Sequence, residues 1–413
     1  MPKPTDLSLT GMRVLDLSRA LSGPFCSQIL GDLGADVIKV EPLPGGDMIR
    51  TWGPFDREES AYYLSGNRNK RSILINFRSA EGLALLRRMA LASDVVVENF
   101  KPGTMAAMGL DPTELRALKP ELIVASISGY GSSGPLSERA GFDQIAQGHS
   151  GFMSVTGTAE TGPTRVGVAI GDLTAGMWLA IGVLNAWICR QRDGKGQSVE
   201  TSLLASLVAL LSVQGQRYLS LGEVAQPTGN VHPVIAPYGV FRASDGDMNI
   251  GAATQSMWLK LCDIIGRPDL RDDPRFGDNA ARMAWREELR VIIEGELARE
   301  TRAVWTELFL KAQIPAGPIN SIADALEDQQ VLHLGLIETC SHPTLGDLKQ
   351  LSNPIQIEGA KGDWIRHSPP LAGGNTEDIL EQFGLSAHEI AGLQRAGIVA
   401  SASGVPDTTV SAA

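Results

Sequence analysis

The stretch VGVAIGDLTAGMW, residues 166 to 178, is small and apolar apart from one carboxylate, Asp172, which directly follows Gly171. A carboxylate there can serve as a nucleophile or a general base. It can also simply cap the helix that the following residues predict, since Asp is a favoured N-cap. The capping-box partner is missing, because the position three residues on is Ala175 rather than Glu or Gln. At a helix start the macrodipole and unpaired N–H groups would hold Asp172 ionised. Gly171 would clear room for a ligand to approach it.

Further clusters could do chemistry. In NRNKR, Asn67, Arg68, Asn69, Lys70 and Arg71 put three cations and two amides in five residues just before a strand. They could cradle a phosphate, or form a solvated turn, the commoner fate of a charge cluster. In VENFKPG a strand ends in Asn99, Phe100 and Lys101 and turns at Pro-Gly. Polar groups at a strand's carboxyl end lie where α/β proteins bind ligands. Gly129, Gly131 and Gly134 in GYGSSGP form another loop at a strand end, and the isolated His149 and His232 read as structural. No G-x-S-x-G, H-E-x-x-H or P-loop occurs.

These residues need positioning elements. RVLDL (13–17), DVIKVE (36–41), SILINF (72–77), DVVVENF (94–100) and LIVASIS (122–128) are near-continuous apolar runs, as in a parallel sheet covered on both faces. Helical spacing separates them at 23–35 and 79–93, with Ser79 as N-cap and Gly34 just past a helix end. The alternation predicts a doubly wound α/β domain. After the first strand SRALSGPF lacks G-x-G-x-x-G, which argues against a dinucleotide site. Long helices are expected from Leu173 to Arg192 and over 202–221. GEVAQPTGNVHP (222–233) reads as a linker, and 238–253 as a hairpin turning at Asp245-Gly246. The expected organisation is 1–221 in a large domain, 222–330 as linker and smaller α+β domain, 331–398 back in the large domain, and 399–413 as a disordered tail.

The chain of 413 residues suits two domains, and a net charge of -11 argues against a nucleic-acid surface. Cys26, Cys189, Cys262 and Cys340 are widely spaced, which fits neither a zinc site nor a disulfide framework and suits a reducing compartment. MPKPTDLSLTG shows no signal or transit pattern, and the apolar run at 203–213 is too short to cross a bilayer. A cytoplasmic protein without membrane or metal is expected.

Taken together, VLDLSRALSGPF, LGDLGADVIKVE, GGDMIRTWGP, NRNKRS, VENFKPG, GYG, GFDQIAQ, AIGDLTAG and PAGPINS resemble the class III coenzyme A transferases in order and spacing, over residues 9 to 398. The likeness is nearest to the succinyl-CoA:glutarate, or dicarboxylate, branch. It implies a Rossmann-like large domain built from both chain ends, a smaller domain between them, and two ring-shaped subunits interlinked as a homodimer. It places the family's nucleophile on Asp172, with acyl-CoA and a small carboxylic acid as substrates and no prosthetic group. CoA contacts carry over onto Leu21 and Ser22, Asn67 to Lys70, and Asn99 to Lys101. Pro42 and Ala107 stand where some members have arginine, leaving Arg19, Lys70, Arg71 and Lys101 as stand-ins for the phosphates. The glycine-rich loop of formyl-CoA transferase is replaced near residue 230 by TGNVHPVIAPYG, which speaks against formate or oxalate. For the second charge of a dicarboxylate the candidates are Arg50 and His232. Each also has a structural reading: Arg50 paired with Asp47, and His232 bracing a Pro-rich turn. A racemase of the same fold would need His where Phe142 stands. A non-catalytic CoA-binding protein would have no need of Asp172.

Overall fold

The structure, a computed structural model, describes residues 7–357 and 364–402. Residues 342–359 are expected from their sequence to return to strands; the end of that segment and residues 403–413 of the expected tail lie outside the described residues. The chain divides into two compact units, one drawn from residues up to Met153, Arg165–Val224 and from Leu332 onward, the other from Ser154–Thr164 and Ala225–Val331.

The larger unit is organised by a seven-stranded sheet. Its strands in chain order are β1 (Arg13–Asp16), β2 (Asp36–Pro42), β3 (Lys70–Ile75), β4 (Val95–Glu98), β5 (Ile123–Ser128) and β6 (Ser198–Ser202), with Val399–Ala400 added at one edge. Spatially the order is β6-β5-β4-β1-β2-β3, then Val399–Ala400. The first six pair in parallel and the edge strand is antiparallel. Alternation along β1 sends Leu15 into one core and Val14 into the other, so both faces are covered. That is why the strand sequences read as continuous apolar runs rather than alternating ones. The sheet grows outward in both directions from between β1 and β4, and this reversal opens a crevice beyond their carboxyl ends.

Helix α1 (Ser22–Asp32) follows β1, and α2 (Ala80–Leu91) is capped by the Ser79 side chain on the Gly82 N–H. Short helix α3 (Asp143–His149) precedes the 24-residue α4 (Ile170–Asp193). By length and composition alone α4 could cross a bilayer. Here it packs against α1 so closely that a Cβ on Gly176 would come within 2.6 Å of the Ser22 carbonyl. The apolar VGVAI is not a strand but an irregular approach to α4. The helix expected over 202–221 is two, α5 (Leu203–Leu210) and α6 (Ser212–Leu221), divided where Ser212 adopts φ 43°. A terminal helix expected from the sequence at about 376–396 also divides, into Thr376–Gln382 and Ala387–Arg395. Because Val399–Ala400 pairs with β3, ordered structure extends past the expected boundary at 398.

The smaller unit has a three-stranded antiparallel sheet, including the hairpin of Tyr238–Ala243 and Gly246–Gly251, with a core around Trp258, Phe276 and Phe309. Segment 154–164 leaves the expected large domain and joins this unit. Its ribbon is held by the Gly229 N–H donating to the Gly157 carbonyl at 2.7 Å. That bond joins residues seventy-odd positions apart, so local patterning could not place the segment.

Candidate active site

The crevice at the strand reversal is a cavity of about 660 Å³, lined by Arg19 to Ser22, Asn99 to Pro102, the Ile127–Gly129 strand end and Asp172. That size suits a small-molecule site.

Asp172 lies in the first turn of α4, but it does not cap the helix. The N-cap is Ala169, and the end is satisfied from outside by Asp143. One Asp143 oxygen accepts from the Gly171 N–H at 2.7 Å and the Asp172 N–H at 3.4 Å; the other accepts from Gln147 Nε2 at 2.7 Å. Gly171 is therefore needed for Asp143 rather than for a ligand, since a Cβ there would meet the Asp143 carboxylate at 2.9 Å and Leu207 at 3.0 Å. Asp143 is itself placed by a backbone crossing at Gly129 and Gly141, where a Cβ on either would come within 2.5 Å of the other's Cα.

This arrangement reverses the electrostatic expectation for Asp172. The helix-end N–H groups that should have held it ionised are spent on Asp143. Burial, together with the Asp143 charge, pushes its carboxyl up to about 7, against a hydrogen bond from the Ser22 hydroxyl that favours ionisation. Half-buried, with no cation among the described residues paired to it, Asp172 is a carboxylate of raised basicity facing a cavity. Those helix-start N–H groups are likewise not free to bind an oxyanion.

Of the expected CoA contacts, the structure gathers Arg19, Leu21, Ser22, Asn99, Phe100 and Lys101 around this cavity. Asn99 clamps the Arg19 backbone, accepting from its N–H and donating to its carbonyl, both at 2.8 Å, and reaches the Ser22 hydroxyl at 3.3 Å. The Arg19 guanidinium lies over the Phe100 ring at 4.9 Å, and Lys101 pairs with exposed Glu138 at 2.9 Å.

The other expected contacts are elsewhere. Asn67 to Arg71 lie at the amino end of β3, away from the strand ends that form the crevice, and Asn67 to Lys70 are buried. Lys70 is fully buried, donating to Asp16 at 3.0 Å, the Pro24 carbonyl at 2.9 Å and Asn67 at 3.0 Å. Lys70 and the Ser18 and Ser27 hydroxyls overcome the burial of the Asp16 carboxyl and bring it down to about 2. Arg68 makes two hydrogen bonds to Asp32, joined there by Asn69, and Arg71 pairs with Asp36 at 2.8 Å. NRNKR is neither a phosphate cradle at this cavity nor a solvated turn. Its side chains are the interior partners of carboxylates on β1, α1 and β2.

Arg50 is committed as well, to Glu41 rather than Asp47. Two 2.7 Å bonds join them, with the Pro370 carbonyl at 3.0 Å and the Tyr63 ring under the guanidinium at 3.5 Å. Asp47 pairs instead with buried Lys39 at 2.9 Å. His232 belongs to the smaller unit, where it stacks on Tyr238 at 4.9 Å and its Nδ1 accepts from the Val234 N–H at 3.2 Å. Sequence reasoning passed over Asp143, Arg139 and Arg165, all of which line the cavity. GFDQIAQ was visible as a motif, but nothing local links its acid to N–H groups at positions 171 and 172. Among the described residues no cluster of metal-ligating side chains occurs.

Residues 9–376 match CoA-transferase family III. The chain is 40% identical to the succinyl-CoA:glutarate CoA-transferase of Mus musculus over 91% of this chain and 86% of that protein. It is 42% identical to the succinate–glutarate CoA-transferase of Agrobacterium fabrum over 79% and 84% of the two chains. A crystal structure of a CAIB/BAIF family protein from Brucella suis superposes with a TM-score of 0.84 at 38% identity, covering 92% of this chain and all of the other. The chain belongs to CoA-transferase family III and is an enzyme that transfers coenzyme A between an acyl-CoA and a carboxylate.

Proposed function

We propose that the enzyme moves CoA from succinyl-CoA to a small dicarboxylic acid, with Asp172 as nucleophile. The observation that carries this reading is the unpaired, half-buried Asp172 carboxylate facing the crevice that Arg19, Ser22, Asn99 and Lys101 also line. The relatives named for succinyl-CoA and glutarate support the choice of acids.

Asp172 attacks the thioester carbonyl; the C–S bond breaks, leaving a mixed anhydride and CoA thiolate. The thiolate attacks the aspartyl carbonyl, giving an aspartyl-CoA thioester and releasing the donor acid. The acceptor carboxylate then attacks that thioester, regenerating thiolate and a new anhydride. Thiolate attack on the acceptor's acyl carbon yields the product and frees Asp172. Overall one CoA thioester is exchanged for another, so no outside energy source is needed, and positioning, where effective molarities of about 10⁵–10⁸ M are attainable, carries the weak carboxylate nucleophile through the anhydride. A carboxylate of raised basicity is the better nucleophile provided it is ionised, and a value near 7 balances the two demands. The Ser22 hydroxyl, already bonded to Asp172, is the neutral donor placed to follow charge as it moves onto oxygen.

The dimeric reading is supported by exposed apolar side chains on α4 and α6, among them Trp178, Ile181, Ile188 and Leu219. Four free cysteines without a disulfide support a reducing cytoplasm. The racemase reading finds no base at Phe142, a hydrophobic side chain 60% exposed. The test is to incubate the protein with succinyl-CoA alone, trap with hydroxylamine and map the modified peptide by mass spectrometry. A hydroxamate on Asp172 is expected. Product formed without modification of Asp172 would overturn the assignment.

A further inference from the structure

Four cations stand on the wall of the Asp172 cavity: Arg19, Lys101, Arg139 and Arg165. Arg19 lies over the Phe100 ring and Lys101 is paired with Glu138. Among the described residues neither Arg139 nor Arg165 has a carboxylate at ion-pair distance. The side-chain contact of Arg165 is a long one, 3.4 Å to the adjacent Val166 carbonyl.

These two differ in how they are held. Arg139 sits in an exposed loop, its backbone bonded only locally, to Leu136. Arg165 is tied to the nucleophile. The Val166 N–H donates to Gln147 Oε1 at 3.0 Å, and Gln147 Nε2 donates to Asp143 at 2.7 Å. The same Asp143 accepts from the Gly171 N–H at 2.7 Å, one residue before Asp172. Gln147, the middle of the relay, is completely buried, while Asp143 and Val166 at its ends are half-buried. Two side chains, Gln147 and Asp143, thus tie the backbone beside Arg165 to the helix start that carries the reacting carboxylate.

A cation on the wall of the nucleophile's cavity discriminates among acids. A diacid reacting at Asp172 brings a second negative charge into the cavity, and that charge is costly there unless paired. The planar guanidinium fork matches a carboxylate bidentately. Arg50 and His232, the sequence candidates for this role, are respectively bound to Glu41 and placed in the other unit.

We infer that Arg165 is the specificity-determining residue that receives the far carboxylate of a dicarboxylic substrate while the near one reacts at Asp172. This rests on the transferase function proposed above. Gln147 is the positioning residue that holds the backbone beside Arg165.

The test compares glutarate with valerate as acceptors, succinyl-CoA being the donor, with acyl-CoA products read by chromatography. In a double-displacement reaction kcat/KM for the acceptor does not depend on the donor half, so the donor's own second carboxylate does not confuse the reading. The unmutated enzyme is expected to favour glutarate by about 10- to 100-fold, the range of one charge-assisted contact. Arg165→Gln should lose that factor for glutarate, mainly through KM, and leave valerate unchanged. Arg165→Lys should keep part of the preference. Three results would each overturn the inference: a glutarate preference that survives Arg165→Gln, equal losses on both acids, or a preference abolished by Arg139→Gln instead. Valerate serving the unmutated enzyme as well as glutarate would overturn it too, with the transferase function intact. Transfer to neither acid by the unmutated enzyme would strike at that function itself.

Discussion

Replacing Asp172 by Asn should abolish transfer and at the same time stabilise the protein, by an amount that depends on pH. The folded state holds the Asp172 proton up to about 7, whereas an unfolded chain releases it near the ordinary carboxylate value of 3.8. A folded value above the unfolded one means that ionisation opposes folding. The cost is absent below about pH 4, grows between there and about 7, and is constant above. That difference corresponds to about 4 kcal/mol at most, and water reaching the half-buried carboxylate lowers this to about 2–4 kcal/mol. Asn keeps the shape and can still accept from Ser22, so the variant isolates the charge. At roughly 2 cal/mol/K per residue, this is a rise of about 2–5 °C in Tm at pH 8 and about a quarter of that at pH 4.5. Thermal melts of both proteins across that range supply the assay. The same carboxyl should appear in kinetics: kcat/KM for acyl-CoA should rise about tenfold per pH unit below 7 and level off above it. A Tm difference that does not change with pH, or a kinetic transition near pH 4, would refute the reasoning.

Asp143→Asn keeps an oxygen for the Gly171 N–H but removes a charge that raises the Asp172 pKa, so the ascending limb of the pH–rate profile should move to lower pH. An unmoved limb would assign the shift to burial alone. Gly171→Ala puts a Cβ 2.9 Å from the Asp143 carboxylate and should cut kcat at least tenfold, with about 1–3 kcal/mol of stability lost in urea titrations. Activity and stability both unchanged would show that Asp143 does not organise the helix start. Lys70→Met leaves Asp16 buried without its cation and should cost about 3–5 kcal/mol, read in the same titrations, with the KM for acyl-CoA in the surviving folded fraction little altered. A raised KM at normal stability would return NRNKR to the CoA site.

What the residues alone determined was carried by short-range pattern. The apolar runs at 13–17, 36–41 and 94–100 named parallel strands because burial on both faces removes alternation, and all three are strands of the central sheet. Ser79 announced the start of α2 by local capping chemistry, and Asp245-Gly246 announced the hairpin turn. The motif series announced the family, and GDLTAG singled out Asp172. The tertiary structure alone decided the fate of each charge. Asp172 is free because Asp143, 29 residues earlier, takes the helix-end N–H groups. Lys70 is hidden because Asp16, 54 residues away, holds it beneath the sheet. Arg50 has Asp47 as its near neighbour in sequence, yet Glu41 and the carbonyl of Pro370, 320 residues on, claim it. Periodicity is a property of neighbours along the chain and survives into the fold. A charge is settled by whichever opposite charge or dipole folding brings within about 4 Å in a medium of low dielectric, and sequence separation places no limit on that.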